Sequence, residues 1–247
     1  MSKNICCVKG VSGSGKSTRV FLLIKFLEHC GLATEDFKFI NFENKEKTVG
    51  ILFPDLELVF IGKKYITGSF ERFQGYDVMT GYFGKSALFS DFLKDNSDKY
   101  NFVVEGAGVT GTNRLRPLFL HDFCGFENIM IQYYNYELGQ KDEYQARIIY
   151  RSGKLPNKGT MWDKCSGFIS DHRDSLKEIE GLKSVLGQPV NMHSFYNPYN
   201  TPEYDFGMKM LTFLDMADFI PAFSNFCSKS NYLVENSFNN FNDGSKG

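Results

Sequence analysis

The run GVSGSGKST, residues 10–18, constrains the fold of this chain more than any other stretch. It matches the pattern G-x-x-x-x-G-K-[ST], in which glycines let successive backbone N–H groups turn inward and hold phosphate oxygens. In such a loop Lys16 brings its positive charge to the β- and γ-phosphates, and the Ser17 hydroxyl binds Mg²⁺. The run therefore predicts a nucleoside triphosphate site, with a glycine-rich structural turn as the alternative. The predicted phosphate-binding residues are Gly10, Ser12, Gly13, Ser14, Gly15, Lys16, Ser17 and Thr18.

The residues on either side of this run predict a strand before it and a helix after it. Residues 5–8 are apolar, as is typical of a buried parallel strand. An amphipathic helix of about 14 residues follows the loop and ends at Gly31, and its dipole favours an anion at its N-terminus.

The rest of the chain alternates between predicted strands and predicted helices. The strands are expected at 37–42, twice within 49–66, and at 102–104, 128–134 and 190–195. The helices are expected at 85–95, 114–123, 137–152, 170–186 and 201–215, with Thr201 as the capping residue of the last, and loops at 43–48, 67–84 and 107–113. This alternation predicts an α/β P-loop NTPase fold, with a mostly parallel sheet covered by helices on both faces.

Length and composition set the expected domain organisation. We expect a P-loop domain over 1–220, with a small helical lid at about 137–170, and a C-terminal extension over 221–247 whose low-complexity end is frayed. No apolar run approaches the length of a membrane span, and the six cysteines form no C-x-x-C pair, so a cytoplasmic protein is predicted, in the host cytoplasm if the chain is viral. A net charge of −1 means that any contact with DNA would depend on a local basic patch.

Charged residues near predicted strand and helix ends are candidates for phosphoryl transfer. Glu105 ends the strand at 102–104, where an acidic residue of a parallel sheet can hold Mg²⁺ beside the phosphate loop. Arg147 and Arg151 share one face of a predicted helix, and a basic loop at 153–159 follows them. These arginines are expected to neutralise the transferred phosphoryl group when the lid closes, with a solvated helix face as the alternative.

The acceptor side of the reaction needs a carboxylate that orients a hydroxyl and takes its proton. Asp77 is the candidate base, with Glu71 as its rival, and either could instead form a loop salt bridge with Arg72. Arg72 and Arg114 complete the candidate substrate residues, and a surface helix arginine is the alternative interpretation of Arg114. The abundant aromatic residues indicate core packing, with a base-stacking surface, for example at Phe70, Phe73 and Tyr76, as the alternative.

These motifs together resemble the P-loop nucleoside and nucleotide kinases over about residues 1–216. A narrower similarity lies in Ile61-Gly62-Lys63-Lys64-Tyr65 followed by Phe73-Gln74-Gly75-Tyr76-Asp77, which resembles the phage 5-hydroxymethyluracil DNA kinases. The resemblance implies ATP and Mg²⁺ as cofactors, with Lys16, Ser17 and Glu105 binding them and Asp77 on the acceptor side. It also implies a hydroxymethyl group of a modified pyrimidine in DNA as the acceptor.

We therefore predict an ATP-dependent kinase that phosphorylates a hydroxyl of a pyrimidine-type acceptor. Two alternatives stay open at this point. The first is a kinase for free nucleosides or nucleotides, which would use the same residues on a small substrate. The second is a P-loop NTPase that acts with a protein partner and has no hydroxyl acceptor.

Overall fold

The computed structural model describes residues 3–11, 13–40, 45–67, 70–78, 83, 86–106, 115–137, 139–152, 160–187 and 190–229. The strands are β1 (Asn4–Gly10), β2 (Glu35–Ile40), β3 (Glu46–Phe53), β4 (Leu58–Ile61), β5 (Lys63–Thr67), β6 (Phe70–Gln74), β7 (Asn101–Glu105), β8 (Asn128–Asn135) and β9 (Met192–Pro198). The helices are α1 (Lys16–His29), α2 (Ser86–Asn96), α3 (Pro117–Asp122), α4 (Lys141–Ser152), α5 (Thr160–Leu186), α6 (Glu203–Phe213) and α7 (Ile220–Lys229).

One seven-stranded sheet runs through the molecule in the order β2-β3-β4-β7-β1-β8-β9. From β4 to β9 each neighbouring pair is parallel, whereas β2 and β3 add an antiparallel edge. Strand β1 pairs with β7 on one side and β8 on the other, so the loop that follows it opens at the carboxyl edge of the sheet. The predicted α/β fold with a mostly parallel sheet is confirmed.

Side chains of β1 alternate between two apolar cores, one on each face of the sheet. Cys6 and Val8 pack in the core formed with α1, α6 and α7. Ile5 and Cys7 pack in the core that α2, α3, α4 and α5 cover. All four side chains are fully buried, and burial raises the pKa of both thiols, that of Cys7 to about 12. The predicted covering of both faces by helices is therefore confirmed.

Helix α7 lies at the start of the predicted C-terminal extension and packs into the apolar core that α1 and α6 cover. Phe223 is fully buried, with its ring 5.0 Å from that of Phe26 on α1. A Cβ atom at Gly207 would lie 2.2 Å from the Phe223 ring, so α6 needs glycine there to accept α7. The domain boundary near residue 220 stays a prediction, as does the lid at about 137–170.

The largest error in the sequence-based prediction is at residues 63–67 and 70–74. Residues 63–67 and 70–74 form an antiparallel hairpin, β5–β6, where the end of a strand and a loop were expected. Glycine and mixed charge at 67–84 favoured the loop prediction, whereas the hairpin depends on long-range packing of Phe73 beneath it.

Several element boundaries also differ from the prediction. Helix α5 starts at Thr160 and not near 170, because Cys165 and Phe168 extend its buried stripe. Helix α3 starts at Pro117 and not at 114, since Arg116 before the proline is extended. Helix α4 starts at Lys141 and not at 137, and β3 starts at Glu46 inside the predicted turn at 43–48, where it pairs with the end of β2. Helix α6 has Pro202 at its N-cap with no side-chain cap, so the predicted capping role of Thr201 is wrong.

Among the described residues, no helix is both long enough and apolar enough to cross a membrane.

Candidate active site

The loop after β1 folds around glycine conformations that other residues rarely adopt. Gly13 and Gly15 have φ of 83° and 79°, in the left-handed region. At Gly10 a Cβ atom would lie 1.9 Å from the carbonyl oxygen of Tyr134 on β8, so only glycine lets the chain leave the sheet at this point. The sequence therefore requires a tight turn between β1 and α1, as the motif predicted.

The Val11 carbonyl closes this loop. The backbone N–H of Ser14 donates to it over 3.3 Å, the Ser14 hydroxyl over 2.9 Å and the Lys16 ammonium over 2.9 Å. Ser14 and Lys16 are buried, whereas Gly13, Gly15, Ser17 and Thr18 are only partly buried. Ser12 lies outside the described residues. The loop thus presents a partly open backbone next to a buried ammonium, an arrangement suited to a polyanion.

Glu105 meets this loop from the end of β7. The Ser17 hydroxyl donates a 3.0 Å hydrogen bond to Glu105 Oε2, and the Lys16 ammonium lies 3.9 Å from Oε1. Burial of the carboxyl raises its pKa above the ordinary value, and the negative charge of Asp77 adds to the increase. The pKa of Glu105 is lowered, in turn, by the charge of Lys16 and by hydrogen bonds from the Ser17 hydroxyl and the Gly75 N–H. A carboxylate and a hydroxyl oxygen therefore share one buried corner beside the phosphate loop.

Asp77 reaches the same corner because two glycines let the backbone pass close to β7. A Cβ atom at Gly75 would lie 2.1 Å from the Glu105 carbonyl oxygen and 2.4 Å from its Oε2. A Cβ atom at Gly106 would lie 2.9 Å from Asp77 Oδ1. Gly62, with φ of 144°, would in turn place a Cβ atom 2.2 Å from the Gln74 carbonyl oxygen. These contacts give a physical reason for both glycines of the I-G-x-x-Y and F-Q-G-Y-D segments.

Replacing Gly75 by alanine should therefore disrupt the site. The new methyl group has to displace either the β7 backbone or the Glu105 carboxylate, and we expect a loss of about 1–3 kcal/mol in the free energy of unfolding. Activity should fall more than stability alone explains, because Glu105 moves away from Ser17. Urea denaturation and initial rates measure the two effects. The matched control is Gly181→Ala on α5, where nothing lies within 4 Å and a helix interior should gain stability; equal behaviour of the two variants would contradict the packing argument.

The raised pKa of Glu105 predicts a pH-dependent stability difference. A carboxyl whose pKa is higher in the folded than in the unfolded state stabilises the fold at low pH, and this contribution is lost as the pH rises through the folded-state pKa. Glu105→Gln keeps the shape but cannot ionise. Its stability relative to the wild type should therefore increase from about pH 4 to about pH 8, measured by urea denaturation without divalent cations. Glu127→Gln, at an exposed position, is the control, and a difference that does not vary with pH would refute the role of burial.

Arg19 is a structural residue of the site that the sequence analysis missed. It is 1% exposed, and its guanidinium donates to the carbonyl of Ser14 over 2.8 Å and to those of Tyr199 and Thr201 after β9. The guanidinium also lies 4.4 Å from the ring centre of Tyr134. Arg19 therefore ties the phosphate loop to the segment after the last strand. In the sequence, its role could have been inferred only from its position three residues after Lys16, on the first turn of α1.

Two stacked tyrosines support the same junction. The rings of Tyr136 and Tyr199 are 4.4 Å apart and nearly parallel, and the Tyr136 hydroxyl donates to the Gly13 carbonyl over 3.0 Å. The Tyr199 hydroxyl bonds to Glu143 on α4. The phosphate loop, the segment after β9 and α4 are thus in direct contact.

A buried ion cluster on the other face of β1 was also missed. Lys9 is fully buried, and its ammonium lies 2.9 Å from Asp171 Oδ2 on α5. Asp171 also accepts hydrogen bonds from Arg116, over 2.9 Å, and from the Tyr133 hydroxyl, over 2.8 Å. Burial alone would raise the pKa of Asp171, but Lys9, Tyr133 and Arg116 hold it below its ordinary value. The cluster fixes α5 and the segment before α3 to the strand that carries the phosphate loop.

The remaining candidates divide into three groups. Glu71, the rival base, lies on β6, and its carboxylate pairs with Lys25 on α1 at 3.0 Å. Phe73 and Tyr76 are 3% and 6% exposed and belong to the two cores, so they pack and do not receive a base. Arg147 and Arg151 both lie on α4, and their side chains are outside the described part of the structure, as are Arg114, residues 153–159 and the side chain of Phe70.

The donor atoms at this corner suit a hard divalent cation. Mg²⁺ prefers oxygen ligands and is usually held by one or two protein groups together with water and substrate phosphates. Ser17 and Glu105 supply one hydroxyl and one carboxylate oxygen 3.0 Å apart. Within the described residues no group of three or more histidine, cysteine or acidic side chains forms a separate metal site.

Comparisons with known proteins agree with this chemistry. A protein-family model described as 5-hmdU DNA kinase 2 matches residues 1–225. The curated 5-hmdU DNA kinase 2 of Salmonella phage ViI is 25% identical over 212 residues, which cover 82% of this chain and 67% of that protein.

Similarity to solved structures is weaker. A sugar kinase from Janibacter sp. in an unliganded form aligns with a TM-score of 0.39 and 13% identity, over 88% of this chain and 98% of the other. An uncharacterized protein from Eubacterium ventriosum aligns with a TM-score of 0.37 and 12% identity, over 86% and 99% of the two chains. The sheet order and the phosphate loop, and not these alignments, define the fold.

Proposed function

Because this chain belongs to the 5-hmdU DNA kinase 2 family, we propose that it transfers the γ-phosphate of ATP to the hydroxymethyl group of 5-hydroxymethyluracil in DNA. Family membership confirms the predicted resemblance, the predicted enzyme class and ATP as the phosphate donor. The acceptor in this chain, its Mg²⁺ and the roles of individual residues are proposals. The observation that carries them is the position of Lys16, Ser17, Glu105 and Asp77 around one corner of the sheet.

The donor side of the reaction is assigned to the phosphate loop. Backbone N–H groups of the loop and the N-terminus of α1 bind the phosphates, and the Lys16 ammonium neutralises their charge. Ser17 and Glu105 would hold Mg²⁺, which would supply positive charge to the phosphate oxygens. A bound cation would favour the ionised form of Glu105, because its positive charge opposes the burial that raises the pKa of this carboxyl.

The acceptor side is assigned to Asp77. Its exposed carboxylate, beside Gly106, orients the hydroxymethyl group and accepts the hydroxyl proton as the phosphoryl group arrives. A base inside duplex DNA has to leave the stack to reach this position, which costs a few kcal/mol. Arg147 and Arg151, four residues apart on α4, supply positive charge to the transferred group.

An acceptor screen tests the proposal. The protein is incubated with γ-labelled ATP, Mg²⁺ and one of three acceptors: a duplex containing 5-hydroxymethyluracil, the same duplex with thymine in its place, or a mixture of nucleosides and nucleoside monophosphates. We expect label only in the first. Label confined to the small molecules would contradict the DNA acceptor, and ATP hydrolysis that ignores every acceptor would contradict the kinase assignment.

A further inference from the structure

The β5–β6 hairpin has two chemically different faces. Residues directly opposite each other in an antiparallel pair share a face, and successive residues alternate. Lys64 is opposite Phe73 and Ile66 is opposite Glu71, so these four residues form one face. Lys63 is opposite Gln74 and Tyr65 is opposite Arg72, so these four lie on the other face, which we call the outer face of the hairpin.

The hairpin face that carries Lys64 and Phe73 is directed toward α1. Phe73 is buried in the core that α1 forms. Lys64 pairs with Glu28, and Glu71 pairs with Lys25 at 3.0 Å, so the charges on this face are matched by charges on α1. The outer face therefore points away from α1.

The outer face carries cations and an aromatic ring but no acidic side chain. Lys63 is exposed, and Tyr65, Arg72 and Gln74 are partly exposed. The Arg72 Nε atom is buried and has no hydrogen-bond partner within the described part of the chain. In a chain of net charge −1, this local group of positive charge fits a polyanion.

The outer face also leads directly to the acceptor side of the site. Strand β6 ends at Gln74, Gly75 passes against Glu105, and Asp77 follows beside Gly106. A polyanion bound along β5 and β6 would thus end at the carboxylate that we assign to the acceptor hydroxyl.

From this geometry we propose that the outer face of the hairpin binds the DNA strand that flanks the acceptor base. Lys63 and Arg72 contact backbone phosphates, and Tyr65, which follows Lys63 on the same face of β5 and lies opposite Arg72, packs against a neighbouring sugar or base. The proposal depends on the proposed function, because it supplies the contact surface for a DNA acceptor. It also accounts for DNA binding by a chain without an overall positive charge, since two phosphate contacts next to the site act locally.

Salt-dependent binding of DNA tests this surface. Fluorescence anisotropy gives the dissociation constant of a labelled duplex containing 5-hydroxymethyluracil over a series of salt concentrations. For Lys63→Gln/Arg72→Gln we expect binding about tenfold weaker at ~0.1 M salt, and a slope of log affinity against log salt smaller by about 1.8. The charge-conserving variant Lys63→Arg/Arg72→Lys should keep the wild-type slope, which a purely structural role would not predict.

The matched control removes two positive charges elsewhere. Lys99 and Lys183 are exposed at the opposite, amino edge of the sheet, and Lys99→Gln/Lys183→Gln should leave the slope within about 0.3 of the wild type. Thermal unfolding of all variants shows whether the hairpin remains folded. An unchanged slope for Lys63→Gln/Arg72→Gln, or an equal change in the control, would overturn the surface proposal.

The acceptor screen keeps the two proposals separate. Wild-type protein that labels only nucleosides contradicts the proposed function itself. Wild-type protein that labels DNA, with an outer-face variant that binds DNA as the wild type does, contradicts the surface alone.

Discussion

Replacing Lys16 by alanine is expected to lower kcat/KM for phosphate transfer by about 10³-fold. Its ammonium is buried, hydrogen-bonded to the Val11 carbonyl over 2.9 Å and 3.9 Å from Glu105 Oε1. Lys16 is the first residue of α1, directly after the phosphate loop. Its replacement by alanine therefore removes the positive charge that would meet the β- and γ-phosphates. Initial rates with γ-labelled ATP and the modified duplex measure the effect.

A matched lysine on the surface separates this chemistry from folding. Lys177 is exposed on α5, and Lys177→Ala should keep wild-type rates. Thermal unfolding should show both variants folded. A folded Lys16→Ala protein that retains more than about one tenth of wild-type kcat/KM would contradict the assignment of the phosphate loop.

Replacing Asp77 by asparagine is expected to lower the single-turnover transfer rate by between about 10² and 10⁴. Asparagine keeps the shape beside Gly106 but cannot accept the hydroxyl proton. ATP binding should persist, because the phosphate loop and Lys16 are unchanged. The two variants should therefore differ: Lys16→Ala loses donor-side function, and Asp77→Asn loses transfer while ATP still binds.

Rapid-quench transfer and equilibrium binding of ATP distinguish these outcomes. Asp98→Asn, in the exposed turn after α2, is the matched control and should behave as the wild type. Transfer by Asp77→Asn at the wild-type rate would remove Asp77 from the acceptor side. An equal loss of ATP binding would show that the residue acts through the phosphate loop.

Local sequence patterns predicted most of the fold correctly. The glycines of residues 10–15, the apolar run at 5–8 and the helix after Lys16 reflect short-range constraints, and the β1–loop–α1 unit follows them closely. The alternation of apolar runs with longer amphipathic segments also predicted the mostly parallel sheet correctly. Errors arose where packing with distant residues decides the structure, as in the hairpin held against α1 by Phe73.

The site was predictable to a similar extent. Ser17 and Glu105 could be placed together because the ends of parallel strands meet at one sheet edge, and the structure brings them to 3.0 Å. Arg19 could not be found in this way, because its partner Tyr199 is 180 positions further along the chain. The close approach of Gly75 to Glu105 is likewise visible only in three dimensions.

The position of the phosphate in the product tests the central claim most directly. After reaction with ATP and Mg²⁺, the modified duplex is digested to nucleoside monophosphates by a nuclease, without phosphatase, and analysed by mass spectrometry against the same duplex with thymine. We predict that the added phosphate is on the hydroxymethyl group of 5-hydroxymethyluracil and that the thymine duplex is unchanged. Phosphate at strand ends, or on free nucleotides alone, would contradict an acceptor site built around Asp77 at this edge of the sheet.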